Sequence, residues 1–222
     1  MESSWQTYDL DFTIKPTARD FSYIKTWWKT KNPNVVQFSY DKNRMFVLRF
    51  QGNAVGYLIF RRNGFIATID WAEVREDLQN NGLGGYMMKR TLGHFKRTRI
   101  KCVELWCVSD GSHRHAERLG FTTVKKDHDT RDWMMRPLVE SREPCKEARR
   151  MFAIWNSWNT DGEPIYRWSL DGNEHRPIIA YCHYDWKVGI IEGGKITKSD
   201  SMKYYFPNAR CDYIYIDNDD KL

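Results

Sequence analysis

The chain has 222 residues, enough for one large domain or a domain with a small appendage. Hydrophobic residues make up 41% and charged residues 29%, which supports a packed core and excludes wholesale disorder. The formal net charge of +6 suits an anionic ligand, a nucleic acid or a plain soluble surface, and by itself selects none.

The 5 cysteines are an odd number without a tight framework, which argues against a disulfide-stapled secreted domain. The first residues lack a basic region followed by an apolar run, so no signal peptide is expected. No apolar stretch approaches the ~20 residues needed to span a bilayer. The expected compartment is a reducing cytosol, with no membrane partner.

In chain order, residues 5–15 alternate as a strand. Thr17, with Asp20 three residues on, is a helix start. Phe21, Ile24, Trp27 and Trp28 continue that helix, and Asn32-Pro33-Asn34 is expected to end it. A meander follows. Phe46, Leu48 and Phe50 alternate, Gly52-Asn53 turns the chain, and Val55, Tyr57 and Ile59 alternate again. Asn63-Gly64 is the strongest hairpin signal, because a type I′ turn needs positive φ at both central residues. A strand from Phe65 to about Val74 comes next.

A helical pattern then runs through Leu83, Met87, Met88, Leu92 and Phe95. Val103–Val108 is a strand, Ser112–Leu119 a short helix ended by Gly120, and Phe121–Lys126 and Trp133–Leu138 two more strands. The order is mixed α/β. Ser141–Pro144 marks a boundary, giving a domain over 1–139 and a C-terminal α+β extension of unknown role over 140–222. In that extension a helix is expected from Pro144 to about Trp158, with Ala148, Met151, Phe152 and Trp155 on one face. Strand-like runs follow near 165–170, 178–184, 186–191 and 213–216. Trp155, Trp158, Trp168, Trp186, Tyr204 and Tyr205 read mostly as core, with an acceptor groove as the other use.

The segment from Val74 to Gly85 sits between a strand and a helix. Glycines there allow a tight turn and close approach of a ligand to backbone N–H groups. The first amides of a helix lack internal partners, and the helix dipole adds positive potential, so the arrangement can cradle a pyrophosphate. A Rossmann reading fits poorly, because three meander strands come first and the glycine spacing differs.

Gln79-x-x-Gly82-x-Gly84, with Val74 five residues before, resembles the pyrophosphate loop of the GCN5-related N-acetyltransferase superfamily. Ala116-Glu117-Arg118-Leu119-Gly120-Phe121 resembles that family's Tyr-Glu-Arg-Leu-Gly-Phe segment, and the resemblance spans roughly residues 5–139. It implies a mixed central sheet of the acyl-CoA N-acyltransferase type. It also implies transfer of an acetyl group from acetyl-CoA to a primary amine. Backbone near Val74 would pair with the pantetheine arm. Gln79 and the amides of Asn80, Asn81, Gly82, Leu83, Gly84 and Gly85 would hold the pyrophosphate.

The chain departs from the pattern at Ala116, where relatives carry a Tyr that protonates the leaving thiolate. His115 is the neighbouring candidate, though it points about 100° away around a helix, and His113 fares no better. For a base, some relatives place a Glu at the position of Thr68 and others at that of Glu104. Strict alternation puts Thr68, Asp70 and Ala72 on one strand face and Glu73 on the other, which makes Asp70 and Glu104 the candidates.

The acceptor is left open between a small amine, a protein amine and an aminoacyl-tRNA, the last favoured slightly by basic charge, and a homodimer is also open. The alternative is a non-catalytic acyl-CoA-binding or sensor module whose C-terminal part binds a protein or nucleic acid. The basic run Lys89-Arg90, Lys96-Arg97, Arg99 and Lys101 reads first as a solvated helix face. None of the 6 histidines stands at metal-ligand spacing, so no metal is expected.

Overall fold

Residues 9–29, 32–126, 132–156, 162–172, 176–182, 186–201 and 212–216 are described by the structure, a computed structural model. The chain divides into two compact units, Met1–Val139 and Glu140–Leu222.

In the first unit, β1 (Leu10–Thr13) leads to α1 (Ala18–Ile24). Thr17 and Asp20 cap α1 reciprocally: Thr17 Oγ1 accepts the Asp20 amide at 3.2 Å, and Asp20 Oδ2 accepts the Thr17 amide at 2.6 Å. Helix α1 already stops at Ile24, so Trp27 and Trp28 lie beyond it, and Asn32-Pro33 starts a second helix, α2 (Pro33–Asp41), instead of ending the first. Proline suits that first position, where its missing N–H would have no helical partner anyway. Phe21 of α1 stacks on Tyr40 of α2 at 4.5 Å.

The meander is β2 (Met45–Phe50), β3 (Asn53–Asn63) and β4 (Ile66–Val74). Its type I′ backbone lies at Gln51-Gly52, with φ of 49° and 77°, closed by the Phe50–Asn53 pair. In the second hairpin Asn63 pairs with Ile66, so the central residues are Gly64 and Phe65, and Gly64 carries the positive φ of 59°. The expected Asn-Gly turn is therefore displaced by one residue. A 3-10 turn (Glu76–Leu78) leads to α3 (Leu83–Lys96), β5 (Cys102–Cys107), α4 (Asp110–Arg118), β6 (Thr122–Lys126) and β7 (Asp132–Pro137).

These strands form one sheet in the order β1-β2-β3-β4-β5-β7-β6, parallel at β4–β5 and antiparallel elsewhere. The helices α1 and α2 pack with Met45, Val47, Tyr57 and Ile59 on one face. On the other face α3 and α4 pack with Leu58, Phe60, Ala67, Ile69, Val103 and Leu105 in a larger core.

Two features open this sheet. Ile59 pairs with Trp71 but Phe60 pairs with Ile69, so Asp70 is the extra residue of a β-bulge. In addition, β4 pairs with β5 only from Ile66–Cys102 to Ile69–Leu105. Beyond those pairs the two strands are not hydrogen-bonded.

The bulge overturns the expected alternation. Trp71 now lies opposite Ile59, and Glu73 opposite Tyr57, so both join the face of α1 and α2. Glu73 therefore shares the Thr68 face instead of opposing it, and Ala72 changes sides. One inserted residue inverts the period-2 rule for everything after it.

In the second unit, β8 (Arg150–Trp155) is a strand where a helix over 144–158 was expected. It is an interior strand of the order β12-β11-β8-β9, together with β9 (Tyr166–Ser169), β11 (Lys187–Glu192) and β12 (Lys195–Ser201). Phe152 and Ile154 enter one cluster and Met151, Ala153 and Trp155 another. Burial on both faces produces a continuous apolar run, which periodicity cannot distinguish from a helix. A two-stranded sheet, β10 (Ile178–Cys182) with β13 (Asp212–Ile216), completes the described elements.

Arg142, nearly buried, donates to the carbonyls of Ser169 at 2.8 Å and Arg176 at 3.3 Å. Trp155 and Trp168 are core residues, Trp186 packs at the core edge, and Trp158, Tyr204 and Tyr205 lie outside the described residues.

Candidate functional site

A cavity of about 610 Å³ occupies the gap between the parted ends of β4 and β5. Ile69 to Val74 form one wall and Leu105 to Val108 the other. Gly84, Met87 and Met88 of α3 and Ser112, His115, Ala116 and Leu119 of α4 close it on the large-core face.

The segment from Gln79 to Gly85 stands at one end of this cleft. Asn80 and Gly82 have φ of 62° and 78°, a left-handed pairing that curls the loop. The Gln79 side chain donates to the Val74 carbonyl at 2.9 Å, tying the loop to the end of β4. Gln79 thus holds the loop's shape. Helices α1 and α4 carry self-made caps from Thr17 and Ser109, whereas the N-cap of α3 is Gly82, with no side-chain cap bond. Its first amides, from Leu83 on, are left for another acceptor. A Cβ on Gly84 would meet only Val74, at 3.9 Å, so its backbone is open to a close ligand. The Leu83 side chain is buried in the core while Asn80 and Asn81 are not.

The expected catalytic residues are not gathered at one point. Asp70 lines the cleft, but Arg61 Nε reaches its Oδ1 and Oδ2 at 2.9 and 2.8 Å, and Nη2 lies 2.7 Å from Oδ1. Its charge is already answered, and it anchors the bulge. Glu104 is hydrogen-bonded by Thr68 and does not belong to the cavity lining.

His115 lines the cleft and lies so near Gly85 that a Cβ there would sit 3.1 Å from its Cε1. Burial, then the Arg118 and Lys89 charges, hold its imidazole below the usual range. It is neutral at pH 7 and stands beside the loop. Ala116 is buried against the cavity, so the site has no hydroxyl at that position. His113 turns to Thr123 Oγ1, at 2.9 Å, and to Asp132, at 3.3 Å.

Sequence reasoning missed Glu73, Trp71 and Trp106, all of which line the cleft. Strict alternation puts Glu73 on the opposite face, because the bulge at Asp70 has no signal in the local pattern. The indoles carried a signal, since Trp in a strand that should alternate polar outward marks exposed aromatic surface.

A mixed sheet with one parallel pair, parted beyond that pair beside a glycine-started helix, defines the N-acyltransferase type of fold. The family model for the acetyltransferase (GNAT) family matches residues 4–121, more than half of the chain, and the chain belongs to that family.

Solved structures resemble about three fifths of it. Ard1 from Thermoplasma volcanium is 16% identical, covering 60% of this chain and 99% of its own, with a TM-score of 0.49. The ribosomal-protein-S18-alanine N-acetyltransferase of Escherichia coli is 16% identical, covering 62% and 99%, with a TM-score of 0.49. A GNAT family acetyltransferase from Elizabethkingia anophelis, with acetyl-CoA bound, is 14% identical, covering 58% and 96%, with a TM-score of 0.45. No curated protein matches the chain in sequence. Among the described residues, no group of three or more His, Cys, Asp or Glu side chains is placed to hold a metal ion.

Proposed function

We propose that this protein moves an acetyl group from acetyl-CoA to a primary amine. The carrying observation is the cleft between the parted β4 and β5 strands, which ends at the uncapped start of α3. The amides of Leu83, Gly84 and Gly85 suit the pyrophosphate, and the unpaired edges of β4 and β5 suit the amide-bearing arm. Acetyl-CoA, when bound, supplies the activated thioester. Among relatives by fold, the Elizabethkingia protein holds acetyl-CoA, which supports this choice of donor.

The chain's own residues orient the partners and surround the thioester with the apolar walls of Leu105, Met87 and Met88. Asp70 is clamped by Arg61, Glu104 stands outside the lining, His115 stands by the loop and Glu73 is held by three donors, so water at the cleft mouth is the proposed acceptor of the amine's proton. The thiolate departs without help from position 116.

That missing hydroxyl favours a second reading, a module that binds acyl-CoA without turnover. Thiol release from acetyl-CoA with a broad amine panel separates the two. Amine-dependent release supports transfer, and tight binding with no release under any amine leaves the binding module. A salt-dependent mobility shift with tRNA tests the nucleic-acid acceptor.

A further inference from the structure

Glu73 is held unlike the other carboxylate of the cleft wall. Its Oε1 accepts the backbone amide of Lys29 at 3.0 Å. Its Oε2 accepts the Tyr57 hydroxyl at 2.8 Å and the Trp71 indole N–H at 3.2 Å. All three donors are neutral. The Lys29 ammonium is engaged elsewhere, with Glu76 at 2.5 Å. Burial, reinforced by Glu73, pushes the Tyr57 phenol far above its usual range, so it remains a donor. Among the described residues no cation pairs with Glu73, whereas Asp70 is paired with Arg61.

A carboxylate offers roughly four acceptor sites, and three here are taken by fixed donors. Orientation is thus set while the charge is unanswered. A half-buried carboxylate in that condition is a receptor for a cation. Beside it on the same face stand Trp71, 44% exposed, and Trp106, 40% exposed. Trp106 is backed by Trp133 at 4.7 Å between ring centroids. Indole faces attract both a cation and an apolar body.

We propose that Glu73 receives the ammonium group of the acceptor, and that the acceptor is a primary amine with a single positive charge on an apolar or aromatic body. This rests on the acetyl-transfer function proposed above. A polycation needs several unanswered carboxylates, and among the described residues the cleft lining presents one, Glu73. Glu73 binds and orients the amine, which then loses its proton to solvent before it attacks the thioester.

Calorimetry tests the proposal on the full chain. CoA is titrated first, and amines are then added to the CoA complex: phenethylamine, a short peptide with a free N-terminal Phe, spermidine and kanamycin. Phenethylamine or the peptide should bind at least ~10-fold more tightly than either polycation, and the tighter of the two identifies the body. Glu73→Gln should lose at least ~10-fold in amine affinity with CoA affinity within about twofold, and in turnover the loss should fall on KM more than on kcat. Should Glu73→Gln fold poorly, Trp71→Leu serves instead, with a loss of about fivefold or more for phenethylamine. Polycations bound as well as the monoamines, or full amine affinity in Glu73→Gln, would overturn the proposal while CoA binding upholds the donor site. Failure of the wild-type protein to bind CoA removes the donor site, and this proposal with it.

Discussion

Gly84 and Gly82 separate two uses of glycine in one loop. Gly84 lies in helical backbone with space around a Cβ, so Gly84→Ala should leave the melting temperature equal or raise it, by about 0.5–1 kcal/mol in stability. A bulky side chain, as in Gly84→Phe, would instead fill the open approach to the helix start, so acetyl-CoA affinity should fall about tenfold or more by calorimetry. Gly82, at φ of 78°, is left-handed, and Gly82→Ala should cost about 1–2 kcal/mol in a denaturant melt. Equal affinity in a well-folded Gly84→Phe protein would place the pyrophosphate elsewhere. Asp70→Asn should cut the transfer rate by less than about tenfold, because Arg61 already occupies both oxygens; a ~10²-fold loss would restore Asp70 as the base. His115 is neutral at pH 7 and adjoins Gly85, so a phosphate bound there raises its proton affinity. Acetyl-CoA should therefore bind more tightly as pH falls from 7 toward 5.5, and His115→Asn should flatten that slope.

Two parts of the first unit respond to acid in separate windows. Burial alone would raise the Asp20 carboxyl, but bonds from Arg49 and Thr17 outweigh it and bring it to about 2. A depressed carboxyl stabilises the fold above the unfolded value of about 3.9, and that share is lost as pH falls toward 2. His94 is lowered by burial and by Arg62 and Arg97, and His115 likewise by burial and its cationic neighbours. A depressed imidazole is protonated more readily in the unfolded chain, so stability also declines as pH falls below about 6.5. Thermal melts should show both steps. His94→Gln should shrink the upper one, and Asp20→Asn the lower. Asp20→Ala removes the α1 cap and leaves Arg49 with the exposed Asp11 carboxylate alone, so it should cost about 1–3 kcal/mol. In the second unit, a Cβ on Gly189 would lie 2.4 Å from the Lys198 carbonyl oxygen, so Gly189→Ala must push β11 from β12. A cost of about 1–3 kcal/mol, read from denaturant melts, is expected.

Each unit has its own sheets and its own buried clusters. The whole donor cleft, from Ile69 to Leu119, belongs to the first unit. A chain ending at Val139 should therefore bind acetyl-CoA with affinity within about threefold of the full chain, by calorimetry. A loss beyond tenfold would mean that the second unit takes part in holding the donor. Amine selectivity in the same pair of proteins reports separately on whether residues 140–222 shape the acceptor side.

Local chemistry determined much of this molecule in advance. The Thr17–Asp20 cap, the run of apolar residues along α3, the Gly120 stop and the Gln79–Gly85 loop all rest on contacts within a few residues, and each was legible in the chain. So was the resemblance that the family match on residues 4–121 bears out. What tertiary structure alone decided involves partners far away in sequence. The fully buried β8 reads as a helix until both of its faces are covered, because an apolar run has no polar side to reveal its period. The bulge at Asp70 depends on how β3 pairs with β4, and Arg61, nine residues earlier, is the residue that clamps it. That single extra residue moves Glu73 and Trp71 to the face of α1 and α2, so the wall of the cleft follows from strand pairing, which no local pattern encodes.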